Sequence, residues 1–315
     1  MDNVLVLGGA GFIGSNIAKR FVEAKYKVYV IDGLLAQTGG RKENLNSIIS
    51  KIVFINSNIE DANLQELIEK CEIIIDCMAW TAHHSAIADP EYDLRLNAKV
   101  HLTLINALKN TSNKKIIYLG TRAQYGNPHA DEITEEMHMI PEDIQGIHKL
   151  ASESYFRVYS KLCGLNVISL RFPNCFGENQ PVHTEDIGLI GDFIKDILNN
   201  KEIEVFGDNR KRCLLYVKDL SEIVFQISKK RFNGFSAFNI CGNEMAIEDL
   251  VKKLIEIIGM GNYQKKEIPF EIKSIDIGNA KLNDEKLKKF LGKVPFTELK
   301  TALQETVQYF KENMR

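Results

Sequence analysis

Apolar and polar positions along this 315-residue chain follow two rhythms that take turns. Six short runs are nearly continuously apolar and rich in β-branched residues: "NVLVLG" from residue 3, "KVYVID" from 27, "IVFIN" from 52, "EIIIDCM" from 72, "KIIYLG" from 115 and "NVISLRF" from 166. Between them, near 12–24, 60–70, 91–109 and 143–163, apolar residues recur every three or four positions. Unbroken apolar runs predict strands buried on both faces, and the longer period predicts amphipathic helices. Their alternation predicts the α/β class, with a Rossmann-type doubly wound parallel sheet. After about residue 172 the regularity weakens. Loops with Pro, Asn and Gly at 173–188, 207–212 and 241–245 mix with helical patterns near 187–199, 246–258 and 297–313. The expected organisation is a dinucleotide-binding domain over 1–172 and a smaller α/β substrate lobe over 173–315. The chain is expected to return partly to the first domain near 212–241. The lobe should close over the C-terminal edge of the sheet, where ligands bind in such folds.

Composition narrows the function classes. A net charge of −2 gives no reason to expect nucleic acid or an anionic membrane as partner. The most apolar run, "IIIDCMAW" at 73–80, is too short to span a bilayer and carries Asp76. The six cysteines form no C-x-x-C, so neither a metal site nor a disulfide framework is expected, and unpaired thiols fit a cytoplasmic protein. The chain runs straight into its first strand, with no basic, apolar leader ahead of it.

The first strand-to-helix turn carries the first candidate chemistry. "VLVLGGAGFIGSNIAKRF" places Gly8, Gly9, Gly11 and Gly14 where the chain must turn tightly and let a pyrophosphate approach. The helix start, with Phe12 and Ile13, offers free N–H groups and a positive dipole end. A tight turn alone would also use glycines. The context of strand, turn, helix and second strand favours a dinucleotide. Asp32 ends that second strand, where it can accept bonds from ribose hydroxyls and repel a 2′-phosphate, so NAD is expected over NADP. Arg41 and Lys42 read as a solvated loop.

With these residues in place, the chain resembles the extended short-chain dehydrogenase/reductase family of nucleotide-sugar epimerases and dehydratases. "NSNIEDANLQELI" resembles the segment that contacts adenine, which implies roles for Asn58 and Ile59; the family more often has Asp at the first of these. "IIIDCMAWTAHHS" and "DLRLNAKVHLTLINAL" resemble cofactor-side segments and imply Ala79, Trp80 and Asn97. "IIYLGTRAQYG" resembles the loop with the catalytic hydroxyl, implying Thr121. "SLRFPNCFGENQ" and "RKRCLLYVKDLSE" resemble substrate segments, implying Asn174 and Arg212 near the sugar-nucleotide phosphates and Asp219 in packing. Arg122 and His183 are further candidates for substrate contact.

In the family a Tyr-x-x-x-Lys pair on one helix removes the sugar hydroxyl proton and holds the nicotinamide ribose. Here the lysine is Lys149 and the tyrosine position is Gln145. A glutamine has no proton to lose near neutral pH, and losing a general base costs about 10²–10⁴ in rate. Three explanations stand: an engineered, inactivated version of an enzyme with tyrosine there; a natural enzyme with another base, such as His148, His83 or His84; or a non-catalytic, NAD-binding regulatory protein. After the threonine, Arg122-Ala123 replaces the Asp-Glu of family dehydratases and the cysteine of family epimerase-reductases, which leaves oxidation at sugar C4. The expectation is a C4 dehydrogenase acting on a GDP- or UDP-linked sugar, of the GDP-manno-heptose type found in capsule pathways. A 4-epimerase is the alternative. The resemblance also implies a homodimer or higher homo-oligomer, pairing the helical stretches 91–109 and 143–163.

Overall fold

The computed structural model describes residues 2–111, 113–184, 188–270, 278–294 and 296–314. In chain order the strands are β1 (Asn3–Leu7), β2 (Lys27–Asp32), β3 (Ile52–Asn56), β4 (Ile73–Asp76), β5 (Lys115–Leu119), β6 (Glu132–Ile133) and β7 (Asn166–Arg171). There follow β8 (Asn174–Phe176), β9 (Ile203–Phe206), β10 (Lys211–Tyr216), β11 (Phe235–Asn239), β12 (Asn243–Ala246), β13 (Tyr263–Lys266) and β14 (Lys281–Leu282). Seven of them make one sheet in the order β11-β7-β5-β4-β1-β2-β3. Every pairing in it is parallel. The fold is the α/β class with a Rossmann-type sheet.

Side chains alternate across this sheet, and both faces are buried. Val4, Val6, Val28, Val30, Ile73 and Ile75 face one layer, with Ile17 and Phe21 of helix α1 (Phe12–Glu23). Leu5, Leu7, Ile31, Ile74, Ile116 and Tyr118 face the other. There they meet α2 (Leu64–Lys70), α5 (Val100–Leu108) and α6 (Ile144–Cys163). Burying each such aliphatic side chain contributes about 1.5–3 kcal/mol, which is why the runs tolerate no polar face. Two short helices, α3 (His83–Ala88) and α4 (Pro90–Leu94), precede α5.

The single helix expected over 91–109 is broken. Between α4 and α5 the residues Arg95–Lys99 form a π-helical turn. Inserted residues of this kind shift the facing of a helix and occur often at functional sites. Among the elements that escaped the pattern reading, two extend the main layers. Helix α8 (Val217–Lys229) packs on α1, and β11 adds a seventh strand beyond β7.

The second part of the chain has its own core. Helices α7 (Leu189–Leu198) and α9 (Ile247–Ile258), with the C-terminal helix Leu299–Asn313, bury Ile194, Leu250, Leu254, Leu303 and Phe310 against Val205, Leu214 and Tyr216. Its small sheets are β12-β10-β8, β13-β9 and β14-β6. The six cysteines are free thiols. No described helix is long and apolar enough to cross a membrane, and no group of three metal-ligating side chains occurs among the described residues.

Candidate active site

A cleft of about 330 Å³ lies along the C-terminal ends of the parallel strands, within the size range of cofactor and substrate sites. Its floor begins at the β1–α1 turn. Gly8 has φ +67°, which a side chain would strain, and a Cβ on Gly14 would lie 2.3 Å from the Gly8 carbonyl oxygen. The first turn of α1 has neither a side-chain cap nor an acidic residue, so its N–H groups and positive dipole end remain for an anion. Gly8, Gly11, Phe12, Ile13 and Gly14 all line the cleft.

One end suits an adenosine. The Asp32 carboxylate accepts N–H bonds from Ala10 and Leu34, each at 2.9 Å, so it also braces the glycine turn. Burial pushes its pKa up, against the pull of those backbone donors. Asn58 and Ile59 line the cleft beside it. The Asn58 Oδ1 is buried without a hydrogen-bond partner among the described residues. An orphaned acceptor of this kind fits an exocyclic amino donor such as that of adenine. The glycine cradle, Asp32 and this orphaned oxygen together fit a nicotinamide adenine dinucleotide.

The other end holds the candidate chemistry. Thr121, Gln145, Lys149 and His83 line it together. Thr121 follows β5 and caps the short turn Arg122–Tyr125. Its Oγ1 accepts from Ala123 N–H at 3.2 Å, and its own N–H donates to Gln124 Oε1 at 2.8 Å. Gln124 Nε2 donates to Glu153 on α6 at 2.9 Å, so the threonine loop is tied to the helix that carries Gln145 and Lys149. On that helix the two residues stand four apart and share a face. Gln145 donates its amide to the Trp80 carbonyl at 2.7 Å, leaving Oε1 as its acceptor. Burial brings the Lys149 ammonium down to about 8, against the opposing pull of Asp76. Its Nζ lies 3.5 Å from the Met78 carbonyl and 4.6 Å from the Tyr118 ring centre. At the mouth, His83 Nδ1 lies 3.1 Å from Asp143 Oδ2.

A family profile described as "NAD dependent epimerase/dehydratase family" matches residues 4–241. The chain belongs to this family. A relative from Methanocaldococcus jannaschii, "Putative UDP-glucose 4-epimerase", is 30% identical across 99% of each chain. A solved UDP-N-acetylglucosamine 4-epimerase from Methanobrevibacter ruminantium, in complex with UDP-N-acetylmuramic acid, superposes with TM-score 0.90 at 27% identity over 99% of each chain. A UDP-glucose 4-epimerase from Thermotoga maritima with UDP-glucose gives TM-score 0.86 at 29% identity, covering 99% of this chain and all of that one. Members of the family are NAD-dependent enzymes that act on nucleotide sugars, and that is the enzyme class of this chain.

Not every family-implied position reaches the cleft. Ala79 and Thr81 line it, but Trp80 between them does not. Trp80 is buried edge-on against Tyr92, with its indole N–H on the Gln37 carbonyl. Asn97 is fully buried and acts on the backbone: its amide bonds the Trp80 N–H and C=O at 3.1 and 2.8 Å. It holds the β4 loop rather than lining the cleft. Asn174 lines both the cleft and a small adjoining recess that contains Arg122 and Arg212. Arg122 donates to the Gly126 and Ala280 carbonyls, and Arg212 to those of Lys211 and Gly278. His183 is exposed and lies outside the cleft lining.

Of the candidate bases, His148 turns to the buried Asp93 carboxylate at 2.6 Å and does not line the cleft, and the side chain of His84 lies outside the described ones. Arg95 and Glu60, 3.6 Å apart, line the cleft without having been singled out. The π-helical turn that aims Arg95 leaves no mark in the apolar spacing.

Proposed function

We propose that the protein is a UDP-sugar 4-epimerase of the NAD-dependent family. One observation carries this reading: a single cleft runs from the uncapped start of α1 to Thr121, Gln145 and Lys149. When bound, NAD supplies hydride acceptance at sugar C4 and hydride return to the resulting ketone. The chain's own residues do the rest. The Thr121 hydroxyl donates to the sugar C4 oxygen, Gln145 lies beside it, and Lys149 holds the nicotinamide ribose. Asn174 borders the cleft next to the small recess that holds Arg122 and Arg212, and the positive charge of these two guanidinium groups supports the sugar-nucleotide diphosphate lying in the cleft beside them. The two solved relatives named above are 4-epimerases of UDP-sugars. They favour epimerisation over the expected C4 dehydrogenation of a GDP-heptose, which is given up as the main reading.

Pairing of two copies completes the proposal. Ile147, Tyr155, Val158 and Leu162 are exposed apolar residues on one face of α6, with Leu94 of the adjoining α4 beside them. A stripe of this size on a soluble protein supports an interface.

The test is to incubate the purified protein with UDP-glucose, UDP-galactose, UDP-N-acetylglucosamine and GDP-linked sugars and to separate the products by chromatography with mass spectrometry. Interconversion of C4 epimers without net NADH is expected. Steady release of NADH with a keto sugar would establish the dehydrogenase instead.

A further inference from the structure

The epimerase reading leaves the sugar hydroxyl proton without an acceptor at residue 145. No tyrosine among the described residues lines the cleft. The two nearest in sequence to the site are engaged elsewhere: Tyr118 donates to the Lys149 carbonyl and Tyr125 to Asn239, both buried. Of the cleft-lining groups that can exchange a proton, Asp32 ends β2 and Glu60 follows β3, both at the adenosine end. Desolvation pushes the Cys77 and Cys175 thiols far up, and both stay protonated. Lys149 is needed at the ribose. His83 remains, at the same end as Thr121 and Gln145.

Its setting is that of an oriented base. Asp143 Oδ2 faces Nδ1, which fixes the tautomer with Nε2 as the proton acceptor. Asp143 is itself held in place, because its other oxygen accepts the Gly146 N–H as the N-cap of α6. Burial opposes a charged Asp143, yet the bond and charge of His83 and the Gly146 donor outweigh it and bring its pKa below the ordinary value. The carboxylate therefore stays ionised beside the imidazole.

We propose that His83, oriented by Asp143, is the general acid–base residue of this site, in place of the tyrosine that residue 145 lacks. This rests on the epimerase reading. In the oxidation half, the C4 hydroxyl O–H bond breaks and its proton bonds to His83 Nε2, giving an imidazolium beside the Asp143 carboxylate. NAD bound in the cleft would accept the C4–H electron pair as hydride, so the sugar becomes a 4-ketone. In the return half, hydride adds to the other face of the ketone, and the imidazolium gives its proton back to the oxygen. The Thr121 hydroxyl donates to that oxygen throughout and keeps it in place, and neither Thr121 nor Gln145 gains or loses a proton.

The experiment compares the parent protein with His83→Gln, Asp143→Asn, Gln145→Tyr and the His83→Gln/Gln145→Tyr pair, using the UDP-sugar panel. His83→Gln should lower kcat by about 10²–10³, the cost of a lost general base, while calorimetry shows NAD binding within twofold of the parent. Asp143→Asn keeps a good N-cap but removes the charge, so kcat should fall about tenfold or more with KM little changed. Two-bond proton–nitrogen NMR of labelled protein should place the His83 proton on Nδ1 in the parent and show mixed tautomers in Asp143→Asn. In the Gln145→Tyr background the His83→Gln cost should shrink below about tenfold, because the tyrosine takes over the proton. If His83→Gln epimerises at more than half the parent rate, the base assignment is wrong and the epimerase reading stands. If only Gln145→Tyr is active, the chain is an inactivated enzyme and His83 is not its base. No turnover by either protein overturns both.

Discussion

Lys149 is 4% exposed, and the partners of its ammonium are a carbonyl and an aromatic face rather than a carboxylate. Burial therefore lowers its pKa to about 8 from 10.5. Between those two values the unfolded chain holds a proton that the folded chain does not, so stability gains as pH rises through this window and the charged lysine is a cost below it. Lys149→Met should stabilise the ligand-free protein by up to about 3 kcal/mol at pH 7, and the gain should vanish near pH 10.5. Urea midpoints of the two proteins at pH 7 and 10.5 check the sign, and NAD affinity should fall in the variant. At this scale the sequence was legible where a backbone demand fixes the residue type, as at Gly8 and Gly14. It does not foretell that Trp80 turns away to Tyr92 and the Gln37 carbonyl while Ala79 and Thr81 on either side line the cleft. The His83–Asp143 pair was illegible, because sixty residues separate its members.

Helix α6 is placed by its polar residues as much as by its apolar ones. Glu153 accepts from Gln124, Ser169 and Arg171, and Arg171 in turn donates to Tyr125. One carboxylate thus joins α6 to the threonine loop and to β7. Burial opposes its charge, but the bond and charge of Arg171 together with the Ser169 and Gln124 donors outweigh burial and lower its pKa. Its contribution is complete above the ordinary glutamate value of about 4.3 and is lost as acid protonates it. Glu153→Gln keeps the shape and should cost about 3 kcal/mol at pH 7, since it leaves a buried guanidinium without its anion. Denaturant unfolding measures this, and the acid limb of the stability curve should flatten. Elements with one clear period, such as α1 and α6, were readable within two residues. The helix expected over 91–109 was not. Its apolar spacing runs on through Arg95–Lys99, while the π-helical turn there accompanies the bonds Asn97 makes to the Trp80 backbone and to Asp93. The strand "FSAFN" escaped because Ser236 and Asn239 interrupt its apolar run, and Asn239 serves the Tyr125 hydroxyl instead of the core.

At the scale of the whole molecule, the exposed α6 stripe is the surface proposed for pairing two copies. Leu162, 73% exposed, stands at its edge. Leu162→Lys combined with Val158→Lys should shift the protein to monomers in sedimentation analysis, with folding intact, because both sites face solvent in the single chain.

The seventh strand has a consequence for how the molecule is made. β11 covers the outer edge of β7, and Asn239 closes the chain from Glu153 through Arg171 and Tyr125. A nascent polypeptide released only to residue 172 would expose the β7 edge and strand the Tyr125 hydroxyl. The ribosome must therefore deliver about seventy more residues, by the numbering, before the nucleotide-holding half can lock. A gene cut at 172 would yield a sticky fragment rather than a portable module.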